Sequence, residues 1–279
     1  MLARLAIIMC VGVLAGCAGT RVTFPNATPG HALEIPAREY KPEGNGPFSA
    51  VVLLHGCGGV SNSTYQWARW FRQQGYVALV VDSWKPRGIA DDCPINAPDF
   101  PGSERFDDAI GALAFLQSRP YVDRARIGVI GWSNGGVYSM AVINGPSLER
   151  ARQRSVILPE PGFRAGIGVY PGGCASLTSE LSVRPALVLI GEADDWTLAQ
   201  RCVELGTSQR ARGADVTVVL YPGAYHYFDV EGQKREELAG VANANRPNGC
   251  CGATVAYDRD AAADAFRRVA EFFGRHLAR

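Results

Sequence analysis

The sequence predicts one α/β domain, built on a largely parallel sheet with helices on both faces. Three observations carry this. Six short β-branched runs are separated by amphipathic stretches of helical period. The runs are apolar almost throughout and do not alternate, as expected of strands covered on both faces. Strand-like and helix-like segments also take turns along the whole chain, which favours one α/β layer structure over separate domains. With 279 residues, 47% of them hydrophobic and 20% charged, the chain can bury a core and is not a disordered polymer.

The elements follow in order. Residues 31–40 are a candidate edge strand, and Ala50 to Leu54 is a buried strand ending at His55-Gly56. A helical stretch from Thr64 to Gln74 stops at Gly75, a residue suited to a helix C-terminus. Tyr76 to Asp82 is the next strand, and Arg105 to Ser118 is a helix halted by Pro120. Arg126 to Gly131 is a strand, and Gly135 to Asn144 is apolar and small, as a helix packed beneath a sheet would be. Strands at Ala165 to Tyr170, Ala186 to Ile190 and Val216 to Tyr221 bracket a helix from Leu198 to Arg212 that ends at Gly213. Residues 231–257 lack a period and read as a long loop, a candidate lid, before a last helix from Arg259 to Leu277.

The N-terminus reads as an address. Met1 to Arg4 is short and basic, about ten apolar residues follow, and Leu14-Ala15-Gly16-Cys17 resembles a bacterial lipobox. The apolar stretch is too short to span a bilayer. The resemblance implies a lipoprotein signal peptide over residues 1–16, lipid on Cys17, a tether over 17–30 and a catalytic domain over 31–279. It places the protein outside the cytoplasm, held in the bacterial envelope by several acyl chains. Ala18 after the cysteine favours the outer membrane where a cell has two. No other partner is implied. The 28 Lys and Arg balance 27 Asp and Glu, so charge gives no reason to expect nucleic acid.

The chemistry sits where the third strand runs into Gly131-Trp132-Ser133-Asn134-Gly135-Gly136 and a helix follows. This is G-x-S-x-G in a strand, turn, helix setting. So tight a turn needs small neighbours and forces the Ser133 hydroxyl into the cleft at the carboxyl ends of the strands. A serine nucleophile needs a base, and the base needs an orienting carboxylate. Of four histidines, His31 precedes the core, His55 shapes a turn and His276 lies on the last helix. His226 follows the last strand on the same edge as Ser133 and is the expected base. The carboxylate belongs after the strand ending at Ile190, where Asp194 and Asp195 compete and spacing from Gly191 favours Asp194. Attack creates an oxyanion that needs two backbone N–H donors. Asn134 should give one, and Cys57, in His55-Gly56-Cys57-Gly58-Gly59, the other. Such a mechanism needs no metal and no organic cofactor, and no Cys-x2-Cys pair suggests a zinc site.

From about residue 31 onward the chain resembles the dienelactone hydrolase family of α/β-hydrolases. The matching segments are Val51 to Gly59, Val81 to Gly88, Ile127 to Gly136, Gly191 to Asp194, Tyr221 to His226 and the helix from Ala261 to Leu277. The resemblance implies the α/β-hydrolase fold, a mostly parallel central sheet flanked by helices on both faces, and hydrolysis of a small carboxylic ester, lactone or thioester. The family's namesake carries a cysteine nucleophile where this chain has Ser133, which points to a general esterase relative.

Trp84, Trp132, Trp196 and Tyr225, with Tyr170 and Tyr227, fall on loops or strand ends near the expected cleft and are candidate pocket residues. Arg87 is a candidate clamp for a substrate carboxylate, with a surface or structural role the favoured reading. Six cysteines remain once Cys10 and Cys17 are set aside, and an even number in an oxidising compartment suggests disulfides. Neighbouring strands would bring Cys174 to Cys202, and the same logic suggests Cys57 with Cys93. Two rival functions are a binding lipoprotein that keeps the fold without catalysis and a peptidase of the same fold. A complete triad with both oxyanion loops argues against the first, and nothing in the chain supplies a substrate-filtering domain for the second.

Overall fold

The computed structural model describes residues 19–94, 96–97 and 102–278. The first elements are strands β1 (Thr20–Pro25), β2 (Glu34–Tyr40) and β3 (Phe48–Leu54), helix α1 (Asn62–Gln73) and β4 (Val77–Val81). Helix α2 (Gly102–Gln117), β5 (Val122–Trp132), α3 (Asn134–Ala141), α4 (Gly145–Gln153) and β6 (Ala165–Val169) follow. Then come α5 (Cys174–Leu177), β7 (Ala186–Gly191), α6 (Ala199–Ala211) and β8 (Val216–Tyr221). A small hairpin of β9 (Glu236–Leu238) and β10 (Ala253–Val255) precedes α7 (Arg259–His276).

Eight strands form one sheet in the order β1-β2-β4-β3-β5-β6-β7-β8. Strands β3 to β8 are parallel, and β1 and β2 add an antiparallel edge. The predicted α/β class and every predicted strand are present. Strands β4 and β7 are buried along their whole length, which accounts for their unbroken apolar runs. Register shows that both faces are covered. Gly128 lies under Phe273 of α7, and Gly166 lies under Ile143 just past α3. Gly128 pairs with Ala165, so Gly166 is one residue out of phase and faces the other way. On the α7 face, α1 joins through Trp67, whose ring stacks on Phe266 at 3.7 Å.

Three stretches differ from the sequence reading. Thr20–Pro25, expected within a tether spanning 17–30, is an edge strand paired with β2 over its full length. Its signal is one residue: Phe24 is buried against Phe115, with ring centroids 5.5 Å apart, while Thr20, Arg21 and Thr23 stay polar. Burying a phenylalanine is worth about 1.5–3 kcal/mol, against about 0.2–1 kcal/mol for an exposed cross-strand pair, so Phe24 decides. Helix α4 is new; Asn144 caps it by accepting from Ser147 N at 3.2 Å. Residues 231–257 hold the β9–β10 hairpin, tied to the body of the domain as described below. The lipobox and signal fall on residues 1–18, outside the described residues.

The order of strands sets the place of the site. The chain leaves β3 toward β4 on one side and returns to β5 on the other. Where a parallel sheet reverses in this way, a crevice opens beyond the carboxyl ends of the strands. The ladder aligns Leu54 with Val81 and Gly131, Trp132 with Val169, and Gly191 with Tyr221. The loops carrying Cys57, Ser133, Asp194 and His226 therefore leave from one edge.

Candidate active site

Ser133 caps α3 with φ 51° and ψ −114°. That conformation costs an ordinary residue about 1–3 kcal/mol and persists only where the surroundings enforce it. Here a Cβ on Gly131 would collide with the Gly135 carbonyl, and a Cβ on Gly135 with the Leu54 carbonyl. The glycines of the motif thus let β5 turn into α3 against the end of β3. Ser133 is held by its own backbone: its N–H donates to Val169 O at 3.0 Å, and its carbonyl accepts from Gly172 N at 3.2 Å.

The acid and base loops also meet by backbone contact, because a Cβ on Gly191 would strike the Ala224 carbonyl. His226 is fully buried. Its Nδ1–H donates to Asp194 Oδ2 at 2.7 Å, the tautomer a carboxylate acceptor demands. Asp194 is oriented in turn: Oδ1 accepts from Trp196 N at 2.9 Å and Thr197 N at 2.8 Å, and Oδ2 from Thr197 Oγ1 at 2.8 Å. The other ring nitrogen, His226 Nε2, is buried with no hydrogen-bond partner among the described residues. Such a group costs free energy unless an incoming one satisfies it, and it is the nitrogen a general base would use.

Asp194 and Asp195 are told apart. Asp195 accepts from Thr254 N and Oγ1 at 2.8 and 3.0 Å and from Arg246 Nη2 at 2.9 Å. It fastens the 231–257 segment to the acid loop. Asn243 Nδ2 donates to Asp195 O at 3.0 Å, Trp196 Nε1 to Ala242 O at 2.8 Å, and Ala256 N to His226 O at 3.0 Å. Most of this segment is therefore a brace, and only residues 231–233 reach the mouth of the cleft.

Asn134 opens α3, so its N–H is among the four that a helix leaves without an internal acceptor. Cys57 sits in the turn after β3, where the neighbouring Gly56 brings its backbone near Ser133; a Cβ there would stand 3.6 Å from Ser133 Cβ. The Cys57 carbonyl is held by Trp84 Nε1 at 2.6 Å and Asp92 N at 3.0 Å. Both expected disulfides form. Cys57 pairs with Cys93 at a Cα separation of 5.0 Å, and Cys174 with Cys202 at 4.9 Å. Cys250 pairs with Cys251.

A cavity of about 490 Å³ opens between these loops. Gly56, Gly58 and Gly59 form one wall, Trp132, Tyr170 and Tyr227 the aromatic side, and Ser61 to Thr64 with Val230 to Gln233 the rim. The lining of this cavity holds Trp132 beside Ser133 and the Tyr170 and Tyr227 rings beside His226, not the Ser133 and His226 side chains themselves; a separate hollow of about 530 Å³ lies near Phe106, Tyr138 and Arg150. Of the candidate pocket residues, Trp132, Tyr170 and Tyr227 line the cavity. Trp84 does not; it is buried behind the oxyanion loop. Trp196 stacks 4.9 Å from His226 and braces the acid loop, and Tyr225 is engaged by Arg235, whose Nη2 donates to its hydroxyl at 2.7 Å. Arg87 takes the structural role. Its guanidinium donates to Asp108 at 2.8 and 2.9 Å, to Glu104 at 2.8 Å and to Ser83 O at 2.6 Å.

Sequence reasoning missed Asp229. Its buried carboxylate accepts from Trp67 Nε1 at 2.8 Å, Trp132 Nε1 at 2.8 Å and Tyr170 OH at 2.6 Å. It thereby fixes the residue before Ser133 and the ring lying 4.3 Å from His226. Burial pushes the Asp229 carboxyl above its usual range, with the three donors pulling it back. Burial, reinforced by Asp229, pushes the Tyr170 hydroxyl far up, so it stays a donor.

The chain belongs to the dienelactone hydrolase family, whose model matches residues 35–277. It is a carboxylic ester hydrolase on the α/β-hydrolase fold. It is similar to two proteins named "Putative carboxymethylenebutenolidase". The one from Yersinia pestis is 23% identical over 89% of this chain and 86% of its own length. The one from Methylorubrum extorquens is 24% identical over 71% and 69%. Among solved structures, esterase 2 of Thermogutta terrifontis, phosphorylated by paraoxon, matches the fold with a TM-score of 0.63. It is 15% identical, with 92% of this chain and 94% of that one covered.

Two consequences are measurable. Asp229→Ala leaves three buried donors unpaired, at about 1–3 kcal/mol each. Urea unfolding should show a loss of at least about 3 kcal/mol, and an unchanged midpoint would contradict this account. His55 is buried, with Nδ1–H donating to Gly56 O at 2.7 Å and Nε2 accepting from Ser83 N at 3.2 Å. Burial first, then the Arg105 charge, hold its pKa well below 6.5. The unfolded chain binds this proton near pH 6.5 and the folded chain does not, so stability falls as pH drops below 6.5. The slope is at most about 1.4 kcal/mol per pH unit. Unfolding curves between pH 7 and 5 should be flatter for His55→Gln than for the native chain.

Proposed function

We propose that this chain is an exported, lipid-anchored serine esterase working through an acyl-enzyme. Ser133 Oγ attacks the ester carbonyl while His226 Nε2 takes its proton. Asp194 keeps His226 in the tautomer that can do so and stabilises the imidazolium. The tetrahedral oxyanion is held by the N–H groups of Cys57 and Asn134. Collapse expels the alcohol, protonated by His226. Water then attacks the acyl-enzyme by the same route and releases the acid. The observation that carries this reading is the His226 ring: one nitrogen is fixed on Asp194 at 2.7 Å and the other is buried without a partner among the described residues, on the strand edge that also presents Ser133.

The cavity narrows the substrate. About 490 Å³ suits a small ester, and the rim of Ser61, Asn62, Ser63, Thr64 and Gln233 favours polar substituents over a long alkyl chain. Export is supported by the lipobox at Leu14 to Cys17 and by disulfides, which persist in oxidising compartments.

The reading is tested by labelling with a fluorophosphonate, the kind of phosphorylation named for the Thermogutta esterase. Intact mass should show one adduct on the native chain and none on Ser133→Ala. That variant should stay folded and lose at least about 10³-fold in kcat on p-nitrophenyl acetate. Undiminished turnover by Ser133→Ala would refute the assignment, and preference for peptide anilides over esters would replace it with a peptidase. Cys17→Ser should move the protein from the membrane fraction to the soluble one and abolish labelling by a fatty acid; a membrane-bound variant would overturn the anchor.

A further inference from the structure

Arg105 is 1% exposed, yet it lies in the first turn of α2. The position is a costly one for a cation, although Tyr138, Asp108 and Asp92 favour the charge. The positive end of the helix dipole repels it. Burial and the nearby Arg87 lower its pKa to about 10, which still leaves it charged at neutral pH. Its hydrogen bonds go to neutral acceptors. Nη2 donates to His55 O at 2.8 Å, and Nη1 donates to Asn134 Oδ1. The guanidinium lies between two rings, 4.7 Å from the Trp84 centroid and 5.2 Å from that of Tyr138. Asp108, three residues on, is committed to Arg87.

The two acceptors are not arbitrary. His55 belongs to the loop that carries the Cys57 N–H, and Asn134 is the residue whose own N–H opens α3 without an intrahelical acceptor. Trp84, beneath the guanidinium, also grips the Cys57 carbonyl at 2.6 Å. One buried fork therefore spans both halves of the oxyanion hole, which come from strands on either side of the sheet's reversal point.

We propose that Arg105 is a positioning residue for the oxyanion hole. It fixes the spacing of the two N–H donors and places a positive charge behind them. This inference rests on the serine esterase reading above. A displacement of either donor weakens the bond to the oxyanion more than any bond to the planar ester, because charge on that oxygen develops only in the tetrahedral state. The loss should then appear in kcat.

The test compares Arg105→Met, Arg105→Lys, Asn134→Ala and the Arg105→Met/Asn134→Ala double variant, each with its unfolding midpoint measured alongside. Substrate is p-nitrophenyl acetate, and the tetrahedral state is probed with a trifluoromethyl ketone. Arg105→Met should lose about 10- to 100-fold in kcat, less than the full loss of one donor, with KM within about two-fold. Ketone binding should weaken by the same factor. Arg105→Lys should restore part of the loss, since it keeps the charge without the fork. Asn134→Ala removes one acceptor and spares its N–H. It should lose less than Arg105→Met, and the double variant should lose little more than the worse single. It tests the contact even if Arg105→Met does not fold. The proposal is overturned if folded variants keep kcat, lose only in KM, or lose turnover without losing ketone affinity. Turnover retained by Ser133→Ala is a separate result that sinks the esterase reading itself.

Discussion

The turn from β5 into α3 closes only because Gly131 and Gly135 carry no side chain, and the rest of the site is arranged around that closure. A methyl group on either would drive backbone into backbone. With both absent, α3 starts directly beneath the end of β3, and Ser133 is held at a positive φ that an isolated chain would avoid. The acid and histidine loops repeat the device at Gly191, where β7 must pass under the Ala224 carbonyl. Backbone contact, more than side-chain packing, sets how near the catalytic loops stand to one another.

Around that frame, three charged side chains hold the loops. Asp229 binds Trp132 and Tyr170, Asp195 binds the segment after the histidine loop, and Arg105 binds the loop after β3 and the start of α3. Each charge is met by several hydrogen bonds. That is the condition under which a buried or partly buried charge is tolerated, since an unpaired one costs far more than a neutral group. Removing any one would loosen a loop, not open a space in the core.

Much of this was legible in the sequence, for a physical reason. Ser133, Asp194, His226 and Cys57 each follow the end of a parallel strand, and a parallel sheet delivers all such loops to one edge. Strand order therefore located them without any contact being known. Asp229 and Arg105 gave no such signal. The partners of Asp229 lie 59, 97 and 162 positions away. Arg105 stands beside Glu104 and near Asp107 and Asp108, where a charged turn looks like a solvated helix face. Arg87 could be read two ways from its place at a strand end, and its counter-charges on α2 give it the structural role. Strand β1 was hidden because a single aromatic residue decides it.

The linkages beside the cleft form a connected chain. From Cys57 a disulfide leads to Cys93, whose carbonyl accepts from Ala242 N at 2.9 Å. Ala242 holds Trp196 of the acid loop, and Ala256, farther along the same segment, returns to His226. Among the described residues, these links restrain the loops around the cleft. Esters would be sorted at a standing aperture, by what can pass Ser61 and Gln233 and lie against Trp132. The enzyme would meet each substrate already in its working shape.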